Sequence, residues 1–500
     1  MNKSLHHGVR VFGVLVLAGL CLMLSGCDEL TLKTLISIRT QGGICVSITT
    51  GSDDNPGTPD APKKTIDAAI EYLQSNDFIA DVLVAAGDYH YDYGTGNPLT
   101  VAEGISLYGG YSTDFSTRDP EVYETRIIDD SDSVDLISNP NRAVYASVGI
   151  TRDTVIDGFT IQGGGGEYSV GIFCHHSSPT ISDNRIYGGT GSARSYGIFC
   201  QFDDSEPMIR DNREINGGES SGSTTYGVYT TDGADPYVTG NYIHGGNGNN
   251  TYGILNSNGS DSTVVGNNIH GGAANLDACG IRNSYASPKI WNNTIFGGSP
   301  ISMIYTPDTI GVGCYGTGTP LIYNNTISSG TGDFGCGLYI SNAIGQDDPS
   351  TPDIRNNIIF NSSKSSGYCV FEANPNGVRP VAIRDNDFWD SDGTYFAYRA
   401  SDPTTYFHST DIPTTFNNLN GDPDWPDCTI EGNDGVNPKL VDEDGAGDIA
   451  NVLDNDWHID ANSPWPVKAG GDDLSEFFAH DKDGVERTTI WSVGAYEYDS

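Results

Sequence analysis

The chain has 500 residues, with 66 Asp and Glu against 25 Lys and Arg, which gives a formal net charge of −41 at pH 7. This acidity argues against nucleic acid and anionic membrane surfaces as partners, because both bind through cationic patches. It also disfavours a deep grip on polyanionic polysaccharides, unless Ca²⁺ bridges the two negative partners.

Residues 1–26 have the pattern of an export signal. Lys3 and Arg10 form a basic head, and the apolar run over residues 11–24 is too short for a comfortable membrane span. The run ends in Leu24-Ser25-Gly26-Cys27, which resembles the signal of bacterial lipoproteins. The resemblance implies that Cys27 becomes the first residue and carries acyl chains such as palmitate. The exported protein would then be anchored to the bacterial envelope, with the outer membrane or cell surface favoured. The alternative is an ordinary secretory signal with an incidental cysteine.

Residues 27–50 would form the lipidated N-terminus and a tether, and residues 51–160 an N-terminal cap with irregular early coils. Within the cap, Thr65 can cap a helix from Ile66 to about Leu73, whose apolar residues have helical spacing. We expect this helix to plug the N-terminal end of the fold, because an open end would expose unpaired backbone.

Residues 161–390 repeat one sequence pattern. Residues 178–189 (SPTISDNRIYGG) form one copy and residues 287–298 (SPKIWNNTIFGG) form another. The apolar residue that closes each copy recurs every 25–32 residues, at Ile161, Ile186, Ile215, Ile243, Ile269, Ile295, Ile327, Ile359 and Phe388. A period in this range predicts a stack of structural repeats.

A second element, x-Gly-Ile-x-x, lies between the copies, as in residues 196–200 (YGIFC) and 226–230 (YGVYT). Each repeat therefore holds about three short strands separated by Gly, Asn, Ser and Pro turns, and none has a helical stripe. One strand cannot bury its apolar face alone, whereas stacked coils make a continuous core. The pattern predicts an all-β solenoid, a parallel β-helix.

The register predicts columns of stacked side chains. Period-two alternation places Tyr196, Ile198 and Cys200 on one face. Inward positions are expected at Ile172, Ile198, Val228, Ile254 and Ile281. A hydrogen-bonded ladder at a bend, where asparagine tolerates the left-handed conformation, is expected from Asn184, Asn241, Asn267, Asn293, Asn325, Asn357 and Asn386.

Eight cysteines lie beyond Cys27, most of them at inward strand positions. Cys174 and Cys200 occupy one column in adjacent coils, close enough for a disulfide but with parallel Cβ vectors that would strain it. No cysteine pair has zinc-site spacing. We therefore assign no metal ligand. The acidic turns could bind Ca²⁺ as a cofactor, and the alternative is a self-repelling surface whose acids simply fill solvent-facing turns.

The repeat resembles the right-handed single-stranded parallel β-helix of the pectin-lyase-like superfamily. The N-terminal segments GSDDNPGT (51–58), KTIDAAI (64–70) and ISLYGGY (105–111) and the C-terminal segments DKDGVER (481–487) and VGAYEY (493–498) narrow the match. They resemble a bacterial family of the domain of unknown function 1565 type. The resemblance implies an irregular closing segment over residues 391–500, which we expect to cover the other end of the rod. It implies no activity, since one fold hosts many functions.

Length variation between repeats gives the first candidate site, because insertions map to loops that often form a binding face. Residues 299–309, 342–352 and 372–380 form three enlarged loops on consecutive coils. If they converge, they could wall a groove with Tyr305, Asp308, Asp347, Asp348, Glu372 and Arg379. Simple drift in loop length is the alternative.

The second candidate site is an outward column of Tyr187, Asn216, His244, His270 and Phe296. Each follows the apolar closing residue of its repeat, so it should point away from the core. Such a column could hold sugar rings by stacking. Harmless stacking on the surface is the alternative, and two histidines alone make a poor metal site.

No catalytic assignment follows from these patterns. Polygalacturonase-like hydrolases would show Gly-His-Gly and Arg-Ile-Lys, which this chain lacks, and no spacing fixes acids opposite Arg282. We expect a lipid-anchored surface protein that binds or adheres to glycans or other host or extracellular ligands, without nucleic acid. The alternatives are a polysaccharide lyase or glycoside hydrolase acting in a groove, and a structural spacer.

Overall fold

In the computed structural model the chain winds through three sheets around one core. The structure describes residues 33–498 except 37, 39, 41, 92–97, 133–139, 221, 303–306, 343–348, 363–365, 374–379, 391–395, 400–405, 423–427, 441–456, 460 and 488–490. The leader and Cys27 lie outside the described residues, so lipidation stays a prediction. No helix in the described part of the chain has the length and the apolar run that a membrane span requires.

The cap and early coils contain β1 (Gly43–Val46), α1 (Ile66–Ser75), β2 (Asp81–Ala85), β3 (Gly87–Tyr91), β4 (Leu99–Thr100), β5 (Leu107–Tyr111), β6 (Thr125–Asp129), β7 (Asn141–Ala146), β8 (Val155–Asp157) and β9 (Thr160–Gln162). The next coils contain β10 (Tyr168–His175), β11 (Thr180–Ser182), β12 (Arg185–Tyr187), β13 (Arg194–Gln201), β14 (Met208–Arg210), β15 (Glu214–Asn216), β16 (Thr224–Thr231), β17 (Tyr237–Thr239), β18 (Tyr242–His244), β19 (Asn247–Ser257), β20 (Thr263–Val265) and β21 (Asn268–His270).

The remaining coils contain β22 (Ala273–Ser284), β23 (Lys289–Trp291), β24 (Thr294–Phe296), β25 (Ser299–Pro300), β26 (Asp308–Tyr315), β27 (Leu321–Tyr323), β28 (Thr326–Ser328), β29 (Phe334–Ser341), β30 (Asp353–Arg355), β31 (Ile358–Asn361), β32 (Ser366–Glu372), β33 (Ala382–Arg384), β34 (Asp387–Asp390), β35 (Phe396–Arg399) and β36 (Tyr406–Phe407). Three short helical turns (Ser409–Asp411, Ile412–Phe416 and Asn417–Leu419), β37 (Thr429–Glu431) and α2 (Trp465–Ala469) follow.

Each regular coil gives one strand to each sheet. Sheet 1 has the order β1-β2-β5-β8-β11-β14-β17-β20-β23-β27-β30-β33-β37. Sheet 2 runs from β4 through β7, β10, β13, β16, β19, β22, β26, β29, β32 and β35 to β36, with β25 beside β22. Sheet 3 has the order β3-β6-β9-β12-β15-β18-β21-β24-β28-β31-β34. The strands pair in parallel except β36, which pairs with β35 in the antiparallel sense. The expected all-β parallel β-helix is confirmed.

Helix α1 forms where its capping residue predicts it. The Thr65 hydroxyl accepts a hydrogen bond from the Ala68 backbone N–H at 3.2 Å, which satisfies one of the free donors of the first turn. Ile66, Ala69, Ile70 and Leu73 are buried against the first strands of the core. The apolar face of α1 therefore covers the N-terminal end of the rod, and the helix ends at Ser75, slightly later than expected.

The inward isoleucine column is confirmed, but one of its expected neighbours faces the other way. Ile198 and Cys200 belong to the interior core, whereas Tyr196 packs with Phe199 in a separate cluster on the outer face of sheet 2. The cause is Gly197, because a Cβ there would lie 2.9 Å from the core side chain of Ile215. Glycine and Ile198 both face inward, which interrupts the alternation and turns Tyr196 outward.

The asparagine ladder is confirmed and longer than expected, since Asn212 and Asn433 also belong to it. Each ladder side chain sits inside the bend between sheets 1 and 3. The Asn293 amide, for example, donates to Asn325 Oδ1 at 3.0 Å and to the Val264 carbonyl oxygen at 2.9 Å. The left-handed backbone lies one residue earlier than expected, as at Asn292, whose φ is 54°.

The C-terminal segment packs at two places on the rod. Ile412 and Phe416 are buried in the interior core and close the end of the rod. Residues 457–498, here called the tail, pack against the side of the rod. There Trp457, Val467 and Tyr496 cover Phe296 and Ile358 of sheet 3, and Trp491 covers Tyr323 of sheet 1. The expectation that the whole closing segment covers the end is therefore wrong for the tail.

Candidate functional site

The predicted outward column exists in the expected register. Tyr187 lies beside Asn216, Asn216 beside His244, His244 beside His270 and His270 beside Phe296. The rings of His244 and His270 stack with centroids 4.7 Å apart. However, His270 and Phe296 are buried, and Phe296 lies beneath the tail. The rings stack on one another and on the tail, so this column is no open platform for sugar rings.

The two histidines of the column make structural hydrogen bonds. His244 Nδ1 accepts from the Gly246 backbone N–H at 2.9 Å, and His270 Nδ1 accepts from that of Gly272 at 2.8 Å. Burial lowers the pKa of His244 to about 4, against a weaker opposing effect of Glu214. His244 is therefore neutral at neutral pH, and its Nδ1 is occupied by the turn that follows the strand.

The enlarged loops do not share one side of the rod. The first enters sheet 2 at Asp308, whereas the second and third leave sheet 2 on the way to sheet 1. Tyr305, Asp347, Asp348 and Arg379 lie outside the described residues, so their placement stays a prediction.

Glu372 cannot wall a groove as expected. It pairs in register with Ile340, which belongs to the interior core, and it is fully buried. Its strand continues the inward column one residue further than the loop boundary suggests.

Asp308 instead joins a polar cluster on the outer face of sheet 2. Its register partner on the neighbouring strand is Asp277. Arg282 Nη1 lies 3.3 Å from Asp277 Oδ2, and the Tyr252 hydroxyl donates to the same oxygen at 3.1 Å. The Asp277 and Arg282 side chains are 24% and 28% exposed, so both remain reachable from solvent.

Two aromatic rings hold the Arg282 guanidinium in place. Its central carbon lies 4.1 Å from the ring centroid of Tyr315 and 5.5 Å from that of Tyr252. Gly313 is the register partner of Arg282, and a Cβ there would lie 2.6 Å from the Tyr315 ring. The glycine thus lets Tyr315 lean over the arginine, in a cation–π contact that fixes the charge.

The cluster shifts the proton affinities of both carboxyl groups. Burial raises the pKa of Asp277, although Arg282 and the Tyr252 hydrogen bond oppose the shift. Partial burial and the charge of Asp277 raise the pKa of Asp308. Among the described residues, Asp277 Oδ1 has no hydrogen-bond partner.

This arrangement suits acid–base chemistry. Two neighbouring carboxyl groups cannot both ionise cheaply, so one of them keeps a proton more readily than an isolated aspartate would. The cation beside Asp277 favours ionisation there, and Asp308 has no such contact in the described chain. The pair therefore places two carboxyl groups of raised pKa beside one guanidinium on the same face, a set that acid–base chemistry can use.

Sequence reasoning found Asp308 and considered Arg282 but missed Asp277 and the rings. Asp277 and Asp308 are 31 residues apart, and the enlarged loop between them hides the coil register. The available signal was the Gly280 kink in β22, which sets Asp277 and Arg282 on one face despite their odd separation of five residues.

Comparison with known proteins yields one family match. Residues 49–280 match the model of a family described as Protein of unknown function (DUF1565). No curated protein matches the chain. The match includes Asp277 and ends before Arg282 and Asp308.

Several solved structures have similar folds. Pectate lyase Pel9A is 13% identical, with 92% of this chain and 98% of that chain covered and a TM-score of 0.46. The A-module of the Azotobacter vinelandii mannuronan C-5 epimerase AlgE4 is 15% identical, with 68% and 95% covered and a TM-score of 0.43. A GH136 lacto-N-biosidase from Eubacterium ramulus is 13% identical, with 75% and 68% covered and a TM-score of 0.36. The segment that matches DUF1565, residues 49–280, forms the N-terminal cap and the first half of the coils of the parallel β-helix.

Proposed function

We propose that the protein cleaves glycans and that Asp277, Asp308 and Arg282 form its reaction centre. The observation that carries this proposal is the in-register pair of carboxyl groups beside a fixed guanidinium on the outer face of sheet 2. Glycosidic bond cleavage needs two carboxyl groups in different protonation states. The choice of glycans follows from the resemblance of the repeat to the pectin-lyase-like superfamily.

The two carboxyl groups take different roles in this proposal. Asp308, whose charged form is opposed by burial and by Asp277, donates a proton to the glycosidic oxygen. Asp277, held by Arg282 and Tyr252, attacks the anomeric carbon as the glycosidic C–O bond breaks, and a water molecule that gives its proton to the Asp308 carboxylate then releases the sugar. Parallel strands lie about 4.8 Å apart, so in-register carboxyl groups can reach the separation of about 5–5.5 Å used by retaining glycosidases.

The position of the tail is consistent with a ligand site on the outer face of sheet 2. The tail covers sheet 3 at Phe296 and sheet 1 at Tyr323, and in the described chain it makes no contact with the Asp277 cluster. Asp308 is exposed and the Asp277 and Arg282 side chains are partly exposed, so a ligand can reach these three groups from solvent.

Cleavage is tested with the full-length chain and a panel of neutral, acidic and amino-sugar polysaccharides, by measuring new reducing ends with and without Ca²⁺. We expect Asp308→Asn and Asp277→Asn each to reduce the rate by about 100-fold or more, in keeping with the loss of acid–base catalysis. Asp153→Asn, at an exposed site away from the cluster, is the matched control and should keep full activity. Activity that survives both cluster substitutions would refute the assignment.

Glycan binding or adhesion without turnover is the second candidate. It is favoured by the extent of the Arg282 contacts, because a guanidinium already held by Asp277 and two rings can recognise a sugar without taking part in a reaction. The same panel should then show retention of a glycan without new reducing ends. Arg282→Gln should abolish that retention, and unchanged retention would exclude the cluster as the binding site.

We also propose that the protein is exported and anchored through Cys27, as the sequence predicts. Cys27→Ser should release the protein from the membrane fraction, and mass spectrometry of the parent chain should find acyl groups on Cys27. An unmodified N-terminus elsewhere would favour the ordinary secretory signal.

A further inference from the structure

A second polar cluster lies at the bend that leads from sheet 2 to sheet 1. The ligand atoms of His176, Asp203 and Asp204 all lie within 4.8 Å of one another. His176 Nδ1 and Asp204 Oδ1 are 2.5 Å apart. His176 follows β10 and the two aspartates follow β13, so consecutive coils supply the three groups.

The surrounding residues fix the imidazole. The Phe202 ring stacks on His176 with centroids 4.2 Å apart and an interplanar angle of 7°. The His175 ring stands edge-on to both, at 4.8 Å from His176 and 5.1 Å from Phe202. His176 therefore cannot turn away from the carboxylates without unstacking, which leaves its Nδ1 directed at them.

Hydrogen bonds also fix the backbone turn that carries the two aspartates. They occupy the tip of a turn in which the Ser205 N–H donates to the Phe202 carbonyl oxygen at 2.9 Å. The Ser205 hydroxyl anchors this turn by donating to the buried Cys174 carbonyl oxygen at 3.2 Å. Within the described chain, Asp203 has no cation at ion-pair distance, so the turn brings two carboxylates together with one imidazole as the neutralising group.

We propose that His176, Asp203 and Asp204 bind a divalent transition-metal ion. One imidazole nitrogen and two carboxylate oxygens are a donor set for Zn²⁺, Mn²⁺ or Co²⁺, whereas Ca²⁺ and Mg²⁺ prefer oxygen alone. Three protein ligands leave coordination positions open to water. The Asp204 side chain is 59% exposed, so an ion can enter from solvent without opening the fold.

The ion would fasten one coil to the next at the rim of sheet 2. Three strand spacings separate β13 from β22, about 14 Å along the rod, so this site is distinct from the Asp277 cluster. Its role would be structural, because an ion that binds only the folded chain stabilises it by mass action. The sequence does not reveal this set, since His176 and Asp204 are one coil apart and share no motif.

The test uses the full-length chain, purified without a histidine tag and freed of metal, and titrated with Zn²⁺, Mn²⁺ or Co²⁺ by calorimetry. We expect one ion per chain, and a loss of affinity of about tenfold or more in His176→Gln and in the Asp203→Asn/Asp204→Asn double variant. His90→Gln is the matched control, because His90 also pairs with one exposed aspartate, Asp130 at 2.8 Å, and no third ligand is described there. Its affinity should equal that of the parent chain.

The Co²⁺ absorption spectrum identifies the ligands. Nitrogen and oxygen ligands give weak visible bands, whereas thiolate ligands add strong charge-transfer bands in the near ultraviolet. Absence of binding at millimolar metal, equal affinity in His176→Gln, or a thiolate spectrum would each overturn the proposal. A circular dichroism spectrum of each variant establishes that it is folded before its affinity is read.

Discussion

At the scale of the residue, the position before each ladder asparagine is occupied by one of three residue types: glycine, aspartate or asparagine. The residue before each described ladder asparagine has a φ of 51–56° where it is not glycine. It is aspartate at Asp183, Asp211 and Asp385, which face solvent or neighbouring charges. It is asparagine at Asn292, Asn324 and Asn356, where the tail docks. Asparagine and aspartate both tolerate this left-handed geometry. Which of the two residues a coil carries therefore depends on the groups that lie outside the bend.

Asp385 makes this position sensitive to pH. Burial, followed by the charge of Asp472, raises its pKa to about 6. In the unfolded chain the group titrates near its ordinary value, so between about pH 4 and pH 6 the folded state holds more protons. The free energy of unfolding should therefore fall as the pH rises through this window. Asp385→Asn should raise the Tm at pH 7.5 and raise it much less at pH 4.5.

The comparison is made by thermal melts of the parent chain and of Asp385→Asn at both pH values. Asp153→Asn, whose carboxylate is exposed, serves as the control and should shift the Tm at neither pH. A lower Tm for Asp385→Asn at pH 7.5 would mean that Arg384 and Arg355 stabilise the carboxylate more than burial opposes it.

At the scale of the element, the asparagine ladder ties the coils together inside the bend. Asn293 Oδ1 accepts from the Asn267 backbone N–H at 2.9 Å, and its amide supplies two further buried partners. Asn293→Ala removes the acceptor of the buried Asn267 N–H and the side-chain donor to the Val264 carbonyl oxygen, whereas Asn325 Oδ1 keeps the Asn293 backbone N–H. Each unsatisfied buried group costs about 1–3 kcal/mol, so we expect a loss of about 3 kcal/mol or more in urea unfolding. Asn247→Ala, at an exposed site, should change stability by less than about 0.5 kcal/mol.

The tail is held by a second element-scale device. Arg487 is buried and lies 2.8 Å from Glu497, and it donates to the carbonyl oxygens of Gly494 and Ala495 and to Asn292 Oδ1. Burial lowers the pKa of Arg487 to about 10, so the guanidinium is still charged at neutral pH. One buried cation therefore holds the tail together and also joins it to the rod at Asn292.

Arg487→Met should release the tail, because Glu497 is left buried without its partner at a cost of about 3–5 kcal/mol. Hydrogen exchange should show loss of protection over residues 457–498, with the Asn ladder still protected. Arg126→Met, which breaks an exposed pair with Asp88 at 3.5 Å, is the control and should cost less than about 1 kcal/mol. Uniform loss of protection along the rod would mean that tail and coils unfold together.

At the scale of the whole molecule, the net charge of −41 acts against the compact rod. Like charges repel over a Debye length that shrinks from about 30 Å at 10 mM salt to about 8 Å at 150 mM. Raising NaCl over this range should therefore raise the Tm at pH 7.5, and the rise should be smaller at pH 5, where part of the acid is protonated. A Tm that falls with salt would show that the surface ion pairs outweigh the repulsion.

The architecture could be predicted from the sequence because each coil repeats the same pattern of residue types. The Ile column and the Asn ladder follow from the fixed period, which links residue type to position. Helix α1 follows from Thr65 and the helical spacing of the apolar residues after it. The orientation of Tyr196 was not accessible, because the Gly197 kink reverses the alternation locally. The burial of Glu372 was missed for the related reason that its strand runs past the loop boundary.

The site was harder to predict than the fold. Asp277 and Asp308 meet only when the coil register is known, and the insertion before β26 changes the coil length between them. The burial of Phe296 depends on the tail, which lies outside the repeat. A sequence signal for the docking of the tail existed in the asparagine pairs 292–293, 324–325 and 356–357. The second asparagine of each pair joins the ladder, and the first donates a hydrogen bond to the tail.

The docking of the tail has a consequence for the order of events during synthesis. Each coil can fold on the one before it as the chain emerges, since solenoid repeats contact only their neighbours. The hydrogen bonds of Asn292, Asn324 and Asn356 to the tail instead span 116–188 residues, so they form only after translation has passed the last coil. Until then Phe296, Ile358 and Tyr323 present an apolar strip to solvent. A prematurely terminated polypeptide would keep that strip exposed, and proteases and chaperones recognise such surfaces. Docking of the tail thus removes an apolar strip that the coils alone would leave exposed.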